Sequence, residues 1–299
     1  MRLASIRHQE QVVPAVMDGD LAVLIDDIAR DLVDLAEQGE AGIESVRAAL
    51  ADPKRARIAD FGYAAPITRF RRDVLCCGWN YWDHFEESRG KREGQDVDRP
   101  NAPTFFTKSP GSVVGPFDPI AFDSTVSSKW DYEAEIALVI GKGGRSIPRA
   151  RARDHVFGIT LANDISQRDL QRRHGGQWLK GKSIDGTMPL GPVIVTPDSC
   201  NFDDLWIECL LNGQRMQWAS TRQMAFPIDE IIAELSFGMT LNPGDVILTG
   251  TPAGIGNARE PPVFLKEGDR VVVSVQGIGE LNNRLERVDL RGESEVSVG

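Results

Sequence analysis

The residues richest in chemistry in this chain are acidic. Asp131-Tyr132-Glu133-Ala134-Glu135 opens a run that turns apolar from Ile136 to Ile140. In an extended strand alternate side chains share a face. That puts Asp131, Glu133 and Glu135 on one side, and Tyr132, Ala134, Ile136, Leu138 and Ile140 on the other. Glu133 and Glu135 then stand only ~7 Å apart, and like charges that close need water, a basic partner or a cation to offset them. A second acidic position follows an apolar run over 156–162, which ends abruptly in Asn163-Asp164. If Asp164 meets the two glutamates, three carboxylates make a hard oxygen site suited to Mg²⁺ or Mn²⁺, whereas zinc prefers nitrogen or sulfur ligands. A solvated strand face and a turn aspartate are the plainer alternatives, which the residues alone leave open.

His84 and Glu87 lie three apart just after an apolar strand. If the chain is helical from Asp83, they share a face, and the pair can take a proton from water with the imidazole poised near neutral pH. A salt-bridged surface histidine is the bland alternative. Arg168 and Gln171 follow Asp164 closely, and Lys180 and Lys182 come soon after. A cation beside three carboxylates pairs with them or holds a substrate carboxylate; otherwise it is ordinary loop solvation. Thr249-Gly250-Thr251-Pro252-Ala253-Gly254-Ile255-Gly256 has the composition of a loop that aims backbone N–H groups at an anion. It ends in no Gly-Lys-Ser/Thr and contains no GxGxxG, so ATP and dinucleotide binding are disfavoured. A serine-hydrolase elbow is also absent from the sequence.

Strands must position these groups. Strand-like runs are read at 2–7, 11–17, 21–25, 74–79, 104–107, 132–140, 156–162, 193–196, 205–211, 246–249 and 271–275, with Asn212-Gly213 as a hairpin turn. Ile28, Leu32, Leu35 and Ala36 fall on one helical face; further helices are read at 43–50, 147–155 and 227–237. Residues 88–103 are polar with both charge signs, as in a mobile loop or lid, and 162–189 is a long polar connection. The fold class is α+β, predominantly β. A small N-terminal α+β domain over 1–70, with no motif of its own, precedes the main domain over 71–299.

Composition narrows the class. The chain has 299 residues, a net charge of −10 and 41% apolar residues, as in a soluble globular protein of one or two domains. The acidic balance argues against nucleic acid, and no apolar run approaches a membrane span. The N-terminus lacks a secretory h-region, and four cysteines without a CxxC pair fit a reducing, cytoplasmic setting.

Taken in order, the notable residues are Gly78-Trp79-Asn80-Tyr81, His84 and Glu87, Lys108 in Phe105-Phe106-Thr107-Lys108, and Asp131-Tyr132-Glu133-Ala134-Glu135. Asn163 to Asp169, Gly181-Lys182-Ser183 and Thr249-Gly250-Thr251-Pro252 complete the set. Over about 74–290 this combination resembles the fumarylacetoacetate hydrolase family. The resemblance implies a mixed β-sandwich or roll, usually a homodimer, with a smaller variable N-terminal segment. It implies that Glu133, Glu135 and Asp164 bind Mg²⁺ or Mn²⁺, and that His84 and Glu87 activate water from a flap. Lys182 would stabilise developing negative charge, and Arg168, Gln171 and Thr251 would hold the substrate carboxylate, with Lys108 nearby. Gln167 departs from the small residue the family often has there and adds bulk near the site. The implied substrate is a small 2-oxo acid. First in order stands hydrolytic C–C cleavage of a 2,4-dioxo acid of the acylpyruvate type, releasing pyruvate through an enolate. Oxaloacetate decarboxylation follows, then hydration or isomerisation of unsaturated 2-oxo acids. A non-catalytic protein that binds a metal and a 2-oxo acid is the alternative from another class; it would have no use for the His84–Glu87 pair.

Overall fold

The computed structural model describes residues 1–91 and 97–292. The described residues are α+β and predominantly β, built on two main sheets with two short two-stranded ones beside them. The large sheet has 11 strands. Its continuous path runs Leu21–Leu24, Gln11–Asp18, Arg2–His8, Met188–Val195, Val156–Asn163, Ala134–Ile140, Val246–Leu248, Val74–Gly78 and Thr104–Lys108. The smaller sheet orders Gln214–Ser220, Trp206–Leu211, Arg270–Val275, Gly279–Arg287 and Ile120–Phe122. Among the described residues no helix is long and apolar enough to cross a membrane.

Alternation along Ala134–Ile140 divides the core. Ile136, Leu138 and Ile140 enter one apolar cluster, shared with the smaller sheet and with Ile228–Ser236. Ala137 and Val139 enter the other, shared with helices α1 (Leu32–Gln38) and α2 (Glu40–Ala51). The strand is buried on both faces because layers cover both. Each fully buried Leu or Ile there contributes ~1.5–3 kcal/mol.

The N-terminal strands do not stand apart. Leu3 pairs with Ile194 and Arg2 with Val195, so Arg2–His8 continues the large sheet. The boundary expected near residue 70 is therefore not a break in the hydrogen-bonded sheet. Helix α1 starts later than the apolar periodicity suggested: Asp31 caps it by accepting from Asp34 N, and Ile28 precedes it. The strand read at 193–196 begins at Met188, since Pro189, Gly191 and Pro192 disguise its first half. Residues 147–155 form a 3₁₀ turn over Arg149–His155. Asn212-Gly213 turns the hairpin as expected, with φ of 51° and 83° that match the twist of the flanking strands. The strand Gly279–Arg287 has no counterpart in the sequence reading; its polar outward positions hide it.

Four adjacent strands deliver the chemistry. Ala134 pairs with Asn163, so the start of one strand lies beside the end of the next. Val246–Leu248 runs antiparallel to Ala134–Ile140 and parallel to Val74–Gly78. The segments after Gly78, Asn163 and Leu248 and the segment before Ala134 therefore leave the sheet at one end.

Candidate active site

At that end Glu133, Glu135 and Asp164 converge. All three are buried, and one oxygen from each lies within 4.8 Å of the others. The expected single strand is broken: Trp130–Asp131 pairs with Ser166–Gln167, and a new strand begins at Ala134. Asp131 therefore does not join the glutamates as simple alternation implied. Its carboxylate turns to Arg168 and to the backbone of Gly256 and Asn257.

Buried cations balance the acids. Lys182 Nζ donates to Glu133 Oε2 at 2.6 Å and to Asp164 Oδ2 at 2.7 Å. Lys108 Nζ donates to Asp164 Oδ1 at 2.8 Å and to Ile165 O at 2.9 Å. Arg168 Nη2 lies 2.7 Å from Glu133 Oε1, an ion pair off the hydrogen-bond line. Burial alone would raise the Glu133 carboxyl, but Lys182, Arg168 and His84 outweigh it and hold it at about 2. Glu135 goes the other way. Burial, with Asp164 and Glu133 beside it, pushes its carboxyl well above the usual range, against the Lys182 ammonium and a donated bond from Gly250 N at 2.6 Å.

The oxygen set fits a hard divalent ion. Two carboxylates beside Glu135 drive it toward protonation, and a cation among the three removes that conflict. The soft donor at the cavity wall, Cys77, is kept as a thiol by burial and by Glu135.

Helix α3, Trp82–Glu87, carries the basic pair. It begins one residue before the expected Asp83, and His84 Nδ1 meets Glu87 Oε1 at 2.9 Å. Glu87 Oε2 accepts from Gly254 N at 2.8 Å. Both oxygens of Glu87 are thus engaged, and His84 is the member of the pair that borders the cavity. Helix α4, Arg168–Arg173, lies inside the segment read only as a polar connection. It sets Arg168 and Gln171 one turn apart, with Arg168 Nη1 donating to Gln171 Oε1 at 3.1 Å.

The glycine-rich loop does aim N–H groups at anions, but the anions are the protein's own. Gly250 N serves Glu135, Gly254 N serves Glu87, and Gly256 N and Asn257 N serve Asp131. Gly254 has φ +111°, and a Cβ there would lie 2.1 Å from Met216 O. No other residue type fits that approach.

His84, Glu133, Glu135, Arg168, Gln171, Lys182 and Thr251 line one partly open cavity of about 50 Å³, together with Trp79, Ser88, Lys91, Phe106, Trp178 and Asn257. That space holds a few waters, at ~10–15 Å³ for each. Three expectations change. Thr251 Oγ1 donates to Ala134 O at 3.0 Å and accepts from Gln217 Nε2 at 2.8 Å, so its hydroxyl proton is spent on the fold. Lys108 is fully buried behind Asp164 and does not border the cavity, so it holds a carboxylate of the protein rather than of a substrate. Gln167 is fully buried and also off the cavity wall, so its bulk does not narrow the site. Gln217 was missed: its Oε1 accepts from Ala134 N at 3.0 Å while its Nε2 reaches Thr251 and Pro252 O. No motif marks it, because it is a lone buried amide on a hairpin strand between buried Met216 and exposed Trp218. The segment read as a mobile loop or lid, 88–103, begins beside the cavity at Ser88 and Lys91. Lys91 reaches the carbonyls of Ala258 and Arg259, and Arg172 Nη2 donates to Lys91 O at 2.7 Å. Residues 92–96 of that segment lie outside the described residues.

Known proteins resemble this chain in sequence and fold. The family model for the fumarylacetoacetate hydrolase C-terminal region matches residues 73–286. The chain is 43% identical over 270 residues to the mitochondrial oxaloacetate tautomerase FAHD2B of Bos taurus, covering 89% of this chain and 83% of that one. It is 45% identical over 222 residues to the oxaloacetate tautomerase YisK of Bacillus subtilis, covering 74% and 72%. Among solved structures, a fumarylacetoacetate hydrolase from Exiguobacterium antarcticum superposes with a TM-score of 0.82 at 36% identity, covering 96% of this chain and 100% of that one. A maleylpyruvate hydrolase from Sphingobium sp. SYK-6, solved with manganese(II) and pyruvate, gives 0.77 at 27% identity, covering 96% and 99%. Sequence match, overall superposition and a shared sheet architecture agree: this chain belongs to the fumarylacetoacetate hydrolase family.

Proposed function

We propose that this protein is a divalent-metal-dependent enzyme that moves the C3 proton of a short 2-oxo acid, interconverting the keto and enol forms of oxaloacetate. The observation that carries the reading is the meeting, in one small cavity, of a three-carboxylate site, a buried ammonium and a histidine held by a glutamate. The relatives named oxaloacetate tautomerase, at 43% and 45% identity, give the substrate precedence over an acylpyruvate.

Glu133, Glu135 and Asp164 would hold Mg²⁺ or Mn²⁺, which supplies Lewis acidity toward a 2-oxo group and its carboxylate. Arg168 and Gln171 orient the substrate carboxylate. His84 takes the proton from C3 through Nε2, since Nδ1 is committed to Glu87. Glu87 fixes the imidazole's orientation and steadies the charge it acquires. Lys182 lies where negative charge develops on the 2-oxo oxygen; a preorganised donor there is worth several kcal/mol of barrier, by analogy with oxyanion holes (~3–4). Delivery of that proton to the 2-oxo oxygen gives the enol, and its transfer back to C3 through His84 gives the keto form.

A second reading is hydrolytic C–C cleavage of a 2,4-dioxo acid, in which His84 deprotonates water instead of C3. The room for a few waters beside His84 favours it, as does the likeness to a maleylpyruvate hydrolase. Product analysis separates the two. Oxaloacetate and acetylpyruvate are each incubated with protein and Mg²⁺, with and without EDTA, and pyruvate is quantified. The tautomerase reading expects faster keto–enol equilibration of oxaloacetate with no pyruvate above the spontaneous rate. Stoichiometric pyruvate from acetylpyruvate would install the hydrolase instead. Pyruvate from oxaloacetate alone would indicate decarboxylation.

A further inference from the structure

Asp131 is a fully buried carboxylate outside the metal trio and away from the basic pair. It accepts four hydrogen bonds. Oδ1 takes Tyr132 N at 3.0 Å and Gly256 N at 2.7 Å, and Oδ2 takes Asn257 N at 3.1 Å and Arg168 Nε at 2.8 Å. A carboxylate held by this many donors is geometrically fixed.

The consequence falls on Arg168. A guanidinium has five N–H groups in a rigid planar fork. Asp131 occupies Nε, Gln171 accepts from Nη1, and Glu133 sits 2.7 Å from Nη2. With the Nε edge anchored on the wall, the Nη1–Nη2 end is the part of the fork left to meet a ligand. Arg168 borders the cavity, and so does Asn257, whose N–H is held by the same carboxylate. Without Asp131 the fork is free to rotate onto Glu133 as a bidentate pair, a common arrangement for Arg and a carboxylate. That rotation would take Glu133 from the metal site and remove the donor pair from the substrate.

We propose that Asp131 is the positioning residue that turns the Arg168 guanidinium toward the substrate carboxylate and limits its contact with Glu133 to the single Nη2 approach. This rests on the reading above that Arg168 receives a 2-oxo acid carboxylate. The role is distinct from metal binding, because Asp131 reaches the ligand only through Arg168 and the 256–257 turn.

The test uses pyruvate binding as well as turnover. Calorimetry measures pyruvate affinity in the presence of Mg²⁺ for the wild type, Asp131→Asn, Arg168→Met and the double variant, with oxaloacetate kinetics and melting curves alongside. Asp131→Asn is expected to weaken pyruvate binding by ~10-fold or more, since a misplacement of about 1 Å can cost ~10²-fold. It should raise KM more than it lowers kcat. In the Arg168→Met background the same change should alter affinity by less than ~3-fold, the signature of two residues acting as one unit. Equal losses in both backgrounds, or wild-type affinity in Asp131→Asn, would overturn the proposal. If Asp131→Asn does not fold, Arg168→Lys tests the same junction: it keeps the charge, loses the fork, and should bind pyruvate as poorly as Arg168→Met. Wild-type affinity in Arg168→Lys would equally overturn it. Tight pyruvate binding with no oxaloacetate turnover would sink the tautomerase reading while leaving the Asp131 comparison intact.

Discussion

Gly254 donates its backbone N–H to Glu87 Oε2 across 2.8 Å. That bond joins a loop following one sheet strand to a helix following its neighbour, and through Glu87 it fixes His84. The same loop holds Glu135 through Gly250 and Asp131 through Gly256. Glu135, Glu87 with its partner His84, and Asp131 with its partner Arg168 thus share one backbone scaffold.

Gly254→Ala should therefore damage activity more than stability explains. At φ +111° with Met216 O at 2.1 Å, an added methyl forces the loop to move. Backbone strain of this kind costs ~1–3 kcal/mol. Gly213→Ala, at φ +83° in an open hairpin turn, bears comparable strain with nothing within 4 Å. We expect both variants to melt earlier and only Gly254→Ala to lose most of its kcat. Equal kcat in the two variants would disconnect the loop from catalysis.

The metal site has a pH signature. Burial, together with Asp164 and Glu133, raises the Glu135 carboxyl well above 4.5. Because the folded value exceeds the unfolded one, this group's contribution to stability is complete below the unfolded value. It is lost as pH rises through the folded one. Glu133, held at about 2, runs oppositely and loses its contribution only as pH falls from its unfolded value toward 2. The metal-free protein should lose stability as pH rises above about 5, and Mn²⁺ should restore it by binding the ionised carboxylate. Calorimetry in two buffers of different ionisation enthalpy should record proton release on Mn²⁺ binding at a pH just above the ordinary carboxylate range. Binding without proton release would contradict this picture.

Thr251 offers a contrasting case. Its hydroxyl bridges Ala134 O and Gln217 Nε2. Thr251→Val should leave these groups unsatisfied at ~1–3 kcal/mol, lowering the melting temperature while changing KM by less than ~3-fold. A large rise in KM at unchanged stability would restore Thr251 as a substrate contact.

Much of the site was legible in the residues because strand alternation is a strict rule. Glu133 and Glu135 converge at the start of one strand, and Asp164 follows the end of its neighbour, as read. What escaped was set by tertiary contacts. Asp131 follows the same alternation, yet the chain breaks its strand at Tyr132–Glu133 and sends that carboxylate to Arg168. The glycine loop was read as an anion receptor, and composition does not say that its anions are internal. Helix α4 was invisible because its six residues are nearly all polar, and its buried face is held by ion pairs rather than apolar periodicity. Gly279–Arg287 escaped for a related reason, its inward Leu281, Asn283 and Leu285 being interleaved with charge.

The central claim is that His84, oriented by Glu87, transfers a proton at C3 of a 2-oxo acid bound beside Glu133, Glu135 and Asp164. Stopped-flow decay of the oxaloacetate enol band tests it most directly, comparing the wild type with His84→Asn in Mg²⁺ and in EDTA. A general base contributes ~10²–10⁴-fold, so the account predicts a Mg²⁺-dependent acceleration that falls at least ~10²-fold in His84→Asn and disappears in EDTA. An acceleration of the same size in His84→Asn, or one indifferent to EDTA, would contradict it.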